Sequence, residues 1–291
     1  MSDRHVYRRT GASVTGRRIR PVRPIRRASA RLSVARAGAA LAMLASAGAI
    51  YGVGASSAFV YASLRVDGAV YTDPAAAETA VAAARGQNLF RLSTEPLRTA
   101  LEHLPTVASA SVGVQLPGTL HVTLNERAPV LIWMVGARRY LADADGTLFG
   151  RLDDKPPPQA AGLPVIDDRR AASAGLYVGT RLDPQDLDAA TRLASLVPAD
   201  VGSAASELQV RVTDENGFVI RADPQGWQAI FGFYTPSLRT TDLIPGQVRL
   251  LRSLLIGREP LIERVILASD TDGTYVPRPT PKPGASASHA P

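Results

Sequence analysis

The sequence contains no cysteine. Disulfides, thiol nucleophiles and thiolate metal sites are therefore excluded, and stability has to come from packed cores. Histidine is nearly as scarce, with four copies in 291 residues. His5 and His289 lie in the terminal tails, His103 ends a helical stretch, and His121 takes the solvent side of an alternating strand, so no pair has metal-ligand spacing. No nucleophile stands beside a base, and the sequence predicts no catalytic residue, no cofactor and no small-molecule substrate. Charge is missing altogether from positions 37–64, a run of 28 residues. Acid is almost missing before that run: positions 1–36 hold a single Asp against 11 Arg.

Crossing about 30 Å of hydrocarbon takes about 20 helical residues, so the uncharged run predicts a transmembrane helix over 37–63. Leu41, Met43, Leu44, Ile50, Val53, Phe59 and Val60 supply its strong transfer energy, and Tyr61 takes the place of an interfacial aromatic at the exit. The arginines before it, from Arg4 to Arg36, put the N-terminus in the cytoplasm and export the rest. A cleaved leader is the alternative, since Ala45-Ser46-Ala47 imitates a cleavage site; against it stand the length of the charged segment and the apolar run beyond the site. Gly48 and Gly52 form a G-x-x-x-G spacing, a candidate contact between membrane helices. The net charge of +7 belongs to the tail, because after position 36 the chain holds 22 basic and 25 acidic residues. Nucleic acid is not an expected partner. The Arg-rich segment 1–36 and the Pro-rich segment 278–291 are predicted to be disordered, the first held near anionic lipid by charge.

The exported stretch is long enough for one large or two small domains. A strand at 64–66 ends in Asp67-Gly68. Asp73-Pro74 opens a helix over 75–85 that stops at Gly86, and Ser93 or Thr94 opens a second, with Leu97, Leu101 and Leu104 on one stripe, closed by Pro105. Two alternating strands follow, one with Ala108, Ala110, Val112 and Val114 inward, the other with Leu120, Val122 and Leu124. The order strand, helix, helix, strand, strand predicts a small α+β domain over 64–130. From 131 to 277 the pattern is β-rich with helices. Strands are predicted at 130–135, 138–142 and 147–149, and a helix from Asp183-Pro184 presents Leu187, Ala190, Ala194 and Val197 before Pro198. A hairpin turns at Asn216-Gly217 in type I′ geometry, a helix covers 247–256 with Val248, Leu251 and Leu255, and 263–269 is the last predicted strand; 232–246 has no regular pattern.

Val66-Asp67-Gly68, Gly86-Gln87-Asn88-Leu89-Phe90, Leu104-Pro105-x-Val107, Ala110-x-Val112, Leu116-Pro117-Gly118-x-Leu120 and Glu126-Arg127-x-Pro129-Val130 resemble, in order and spacing, the POTRA domain of the FtsQ/DivIB cell-division family. Tyr140-Leu141-x-Asp143-x-Asp145-Gly146, Leu163-Pro164-Val165-Ile166 and Val178-Gly179 are similar to the start of that family's β domain. The resemblance implies a single-pass protein of the plasma membrane at the division septum, its later domains periplasmic or extracellular. It implies a scaffold, with small coiled-coil proteins of the FtsB/DivIC and FtsL kinds as partners and FtsW/FtsI-like wall synthases as possible further ones. In that family the C-terminal edge strand and the residues beyond it receive the FtsB/DivIC segment. The matching positions are Ser269, Asp270, Asp272, Gly273, Thr274, Tyr275 and Val276, with Val265 and Leu267 supporting them.

Other readings stand beside this one. An edge blunted by Asp270, Asp272 and Pro277 would recruit nothing. A POTRA-bearing component of protein transport or outer-membrane assembly would carry several repeats or a long alternating barrel region, and a membrane-anchored enzyme would need a nucleophile with a base or a metal set. Asp143-x-Asp145-Gly146 and Asp270-x-Asp272-Gly273 imitate calcium loops, but position 12 would fall on Leu152 or Pro279, and both read as turns. Glu126-Arg127 reads as a family marker at the hinge between the two domains.

Overall fold

The structure, a computed structural model, describes residues 33–152, 158–237 and 239–279. The first helix, α1, runs Val34–Ala55, about 33 Å at the helical rise, and is long and apolar enough to cross a membrane by length and composition. It begins three residues before the predicted span and ends eight before its predicted limit at 63. The physical reason is local: Ser56 leaves the helix, its hydroxyl accepts the Ala58 N–H at 3.2 Å, and a short 3-10 turn, Ser57–Phe59, follows. Phe59 and Tyr61 are therefore not part of the span. The Leu89 N–H bonds the Phe59 carbonyl at 2.8 Å, the Tyr61 N–H bonds that of Gln87 at 3.0 Å, and the Tyr61 ring packs on the first core. Of the predicted disordered tails, residues 33–36 and 278–279 lie inside the described part and the rest outside it. Residues 34–36 are helical, and Arg278 is tied down, its N–H bonding the Leu261 carbonyl at 2.7 Å.

After α1 comes a three-stranded sheet of β1 (Ser63–Asp67), β2 (Val107–Gln115) and β3 (Thr119–Glu126), in the order β1-β3-β2. Strand β1 runs parallel to β3, which is antiparallel to β2. Two helices, α2 (Pro74–Ala80) and α3 (Glu95–Glu102), bury Ala77, Leu97 and Leu101 against Val107, Leu120 and Val122. Asp73 caps α2, accepting the Ala75 N–H at 3.0 Å. The helix predicted over 75–85 breaks at Val81 into a 3-10 turn, Ala82–Ala84, before Gly86 takes a positive φ. Ala108, predicted inward, is exposed: pairing skips a residue between Val107 and Ser109, so the bulge turns Val107 into the core and Ala108 out. Val114, at the far end of β2, is also partly exposed.

Among the described residues the second sheet has nine strands in the order β12-β11-β10-β9-β8-β7-β4-β5-β6. Strands β4 (Leu131–Val135), β5 (Arg138–Ala142) and β6 (Leu148–Leu152) form the predicted meander, joined at β4 by β7 (Val165–Asp168) in parallel. Then come β8 (Glu207–Thr213), β9 (Gly217–Asp223), β10 (Gln228–Gly232), β11 (Ile262–Leu267) and β12 (Gly273–Pro277). Helices α4 (Pro184–Ala194) and α5 (Ile244–Leu255) cover one face, where Trp133, Ile166, Phe218, Phe231 and Val265 meet Leu193, Leu251 and Leu255. On the other face, Ile132, Leu141, Phe149 and Leu152 form a smaller cluster that takes in Tyr71 from the loop between β1 and α2.

Several predicted bounds move. Helix α4 ends at Ala194, and its buried residues are Ala189, Ala190 and Leu193, while Val197 is more than half exposed. Helix α5 starts three residues earlier than predicted, and β10 and β12 occupy stretches that had no predicted strand. Thr213 pairs with Gly217, leaving three loop residues in place of a two-residue Asn-Gly turn. Gly217 is required there, because a Cβ would lie 2.4 Å from the Gly232 carbonyl carbon.

Arg127 ties the two sheets together, and Glu126 holds the loop of the first domain that brings Tyr71 to the second sheet. The Glu126 carboxylate accepts the N–H groups of Val70, Tyr71 and Thr72 at 2.8, 2.8 and 2.7 Å. Arg127 donates through Nε to the Pro105 carbonyl at 3.0 Å and through Nη1 to Asp143 at 2.6 Å. Asp143 is further engaged by the N–H groups of Asp145 and Thr147, which makes its loop a turn.

Candidate partner-binding edge

A long mixed sheet has two ends, and here they differ. At one, the start of β6 is covered: Leu148 exchanges backbone bonds with Thr180 and Gly179 at 2.9 and 2.7 Å. At the other, β12 pairs with β11 alone, so among the described residues its outer side is unpaired. An edge strand of this kind presents alternating N–H and C=O groups to another chain.

The strand reaches that position through a short turn. Ser269 Oγ accepts the N–H groups of Thr271 and Asp272 at 3.2 and 2.9 Å, and the Asp272 carbonyl accepts the Ala268 N–H at 2.9 Å. Asp270 folds onto the start of α5, so close that a Cβ on Gly246 would lie 2.3 Å from its own. The closing bond at Ala268 and Asp272 sets the antiparallel alternation: Thr274 and Val276 exchange bonds with β11, and Gly273 and Tyr275 turn their N–H and C=O groups outward.

Side chains alternate with the pleat. Gly273 and Tyr275 lie opposite Leu267 and Val265 and share the face covered by α5, where a Cβ on Gly273 would be 3.0 Å from Leu250. Thr274 and Val276 lie opposite Ile266 and Arg264 on the face that α4 and α5 leave open. Tyr275 and Val276 are 42% and 40% exposed, whereas Val265 and Leu267 are buried and reach no surface. The structure thus brings Gly273 to Val276 together on one edge, puts Ser269, Asp270 and Asp272 in the turn leading to it, and assigns Val265 and Leu267 to the core behind it. Ile266, 37% exposed beside Thr274, was missed from the sequence; the two-residue period of β11 was the signal that could have found it.

Two side chains hold the inner support. Gln247, fully buried, donates to the carbonyls of Phe231 and Leu267 at 3.3 Å each, and Arg239 Nη2 donates to the same two at 2.6 and 2.5 Å. They satisfy the carbonyls at the ends of the parallel pair β10 and β11, immediately behind Gly273. Gly48 and Gly52 stand one turn apart on α1, and a Cβ on either would meet nothing within 4 Å.

Comparison with known proteins places an FtsQ-type POTRA domain over residues 61–127, the stretch holding the first sheet. The cell division protein FtsQ of Mycobacteroides abscessus is 33% identical over 125 residues, covering 41% of this chain and 38% of that protein. The cell division protein FtsQ of Chloroflexus aurantiacus is 25% identical over 223 residues, covering 76% of this chain and 71% of the relative. That of Koribacter versatilis is 29% identical over 160 residues, 53% of this chain and 46% of the relative. Two of these three alignments span less than half of the relative's length.

Proposed function

The chain belongs to the FtsQ/DivIB family of cell-division proteins, and from that premise we propose that it is a non-catalytic scaffold of the divisome. The reading has four parts: a cytoplasmic Arg-rich segment over 1–36, a single membrane span at α1, a POTRA domain over 64–130, and a β domain over 131–277 exported beside it. Its location is the division septum. The partners are a small coiled-coil protein of the FtsB/DivIC kind and, through it, one of the FtsL kind, with FtsW/FtsI-like synthases further off.

One observation carries the reading: among the described residues β12 is an edge strand with no partner on its outer side, and Tyr275 and Val276 are exposed along it. A partner segment adding as a strand would bond the outward groups of Gly273 and Tyr275, which sets register, and would use the side chains beside them for selectivity. Full-length protein captured from membranes should bring down the coiled-coil partner, and a fluorescent fusion should gather at midcell before constriction. Normal division after depletion, with uniform membrane fluorescence, would overturn the scaffold reading. Equal capture by the wild type, by Gly273→Asp and by Tyr275→Ala would move the interface off this edge.

A further inference from the structure

Beside the exit of α1 the first sheet exposes apolar side chains that its core does not use. Phe90 is 52% exposed, and its ring meets Phe59 edge to face at 4.9 Å. Leu116, at the turn between β2 and β3, is 48% exposed. Arg91, also exposed, follows Phe90 and reaches to 3.7 Å from a Cβ placed on Gly54.

Backbone bonds lock these side chains to the exit segment. Asn88 Nδ2 donates to the carbonyls of Val53 and Ser56 at 3.1 Å each, supplying a partner where the helix ladder runs out. Leu89 and Phe59 are joined by a 2.8 Å bond, as are Gly118 and Ala62. A Cβ on Gly118 would stand 3.0 Å from the Val60 carbonyl, so the Leu116 turn is pressed against the same segment. Phe90 and Leu116 are thereby held within a few residues of Ala55, where α1 ends.

We propose that Phe59, Phe90 and Leu116 seat in the interfacial zone of the bilayer that α1 crosses, with Arg91 placed for an anionic headgroup. The occupant is lipid because the chain itself brings it there. A helix of 22 residues is used up by the hydrocarbon, so Phe59, four residues past Ala55, meets the headgroup layer, where aromatic rings and arginine are favoured. Asn88, by gripping both the helix end and the loop that carries Phe90, is the positioning residue. The inference rests on α1 spanning a membrane.

The test uses full-length protein in vesicles containing anionic lipid. Trp133 and Trp227, the two native tryptophans, are fully buried and out of reach of lipid, so the emission and quenching that a Trp at Phe90 adds to those of the wild type report its own surroundings. Brominated lipids should quench Phe90→Trp at least twofold more than Val276→Trp, with a blue-shifted emission, and Arg91→Gln should reduce the added quenching that anionic lipid brings. Equal quenching at 90 and 276 in protein that resists alkaline extraction would overturn the proposal and leave the span intact; a site filled by a partner's membrane helix gives this result in partner-free vesicles. Extraction at alkaline pH would remove the span, and the proposal with it.

Discussion

Asp168 is fully buried and accepts five hydrogen bonds: Trp133 Nε1 at 3.1 Å, Ser173 Oγ at 2.6 Å, and Arg170 through N, Nε and Nη2 at 3.0, 3.0 and 2.9 Å. Arg170 goes on to Asp186 at 2.6 Å. Burial alone would raise the Asp168 carboxyl, but the bonds from Arg170 and Ser173 outweigh it and hold the pKa below the usual range. For Asp186 burial wins, and its pKa is raised. A carboxylate depressed in the folded state stabilises it above the unfolded pKa, about 3.9, and that contribution is lost as pH falls through the lower folded value. Asp168→Asn should therefore cost about 3 kcal/mol at pH 7, because Trp133, Ser173 and Arg170 lose a charged acceptor. The variant's stability should also fall less than the wild type's below about pH 4. Urea unfolding at pH 7 and below pH 4 measures both, and an unchanged difference between the proteins at the two pH values would contradict the linkage. Nothing in the residue type distinguishes Asp168 from Asp167 beside it, whose half-buried side chain pairs with Arg169 and Arg211; the partners of Asp168 come from β4 and from the turn after β7. Tyr275, by contrast, is singled out only by the resemblance to the FtsQ/DivIB family, and no local pattern marks a strand around it.

Elements behaved according to how much of their information was local. The caps at Asp73 and Asp183, each followed by Pro, started α2 and α4 where predicted, since a short carboxylate accepts free N–H groups wherever the chain turns helical. Helix ends moved because burial competes with propensity: α4 stops once Leu193 is packed, leaving Val197 in solvent. Strand β12 escaped the pattern since four of its five residues are exposed, so no apolar alternation marks it. Its backbone alternation separates two tests. Tyr275→Ala removes the ring and should weaken capture of the coiled-coil partner. Tyr275→Pro also removes an outward N–H without costing a bond to β11, and should abolish capture while thermal stability stays within about 1 kcal/mol of the alanine variant. Equal capture by the alanine and proline variants would argue for recognition through side chains and against strand addition.

Across the molecule, two contacts among the described residues carry the joint between the sheets: Arg127 on Asp143, and Tyr71 edge to face with Phe149 at 5.5 Å, on a loop whose backbone N–H groups Glu126 holds in place. They should make the two sheets unfold together. Both tryptophans belong to the second sheet's core, so indole fluorescence follows that part alone while far-UV circular dichroism follows both. In the full chain in detergent the two thermal curves should coincide, and in the double variant Tyr71→Ala, Arg127→Ala they should separate. Coincident curves in the variant would show that the joint does not couple the sheets. By itself the sequence determined the order of elements in the first sheet, the apolar helix before it and the turn at Asp143, because each depends on periodicity, charge or turn chemistry within a few residues. Only the tertiary structure decided that Arg127 reaches Asp143 while Glu126 holds the Tyr71 loop, that α1 stops at Ala55 and releases Phe59 and Tyr61 to the first sheet, and that β12 lies outermost of the nine described strands. Those features depend on backbone groups and side chains brought together from distant parts of the chain, and no local pattern records such a meeting.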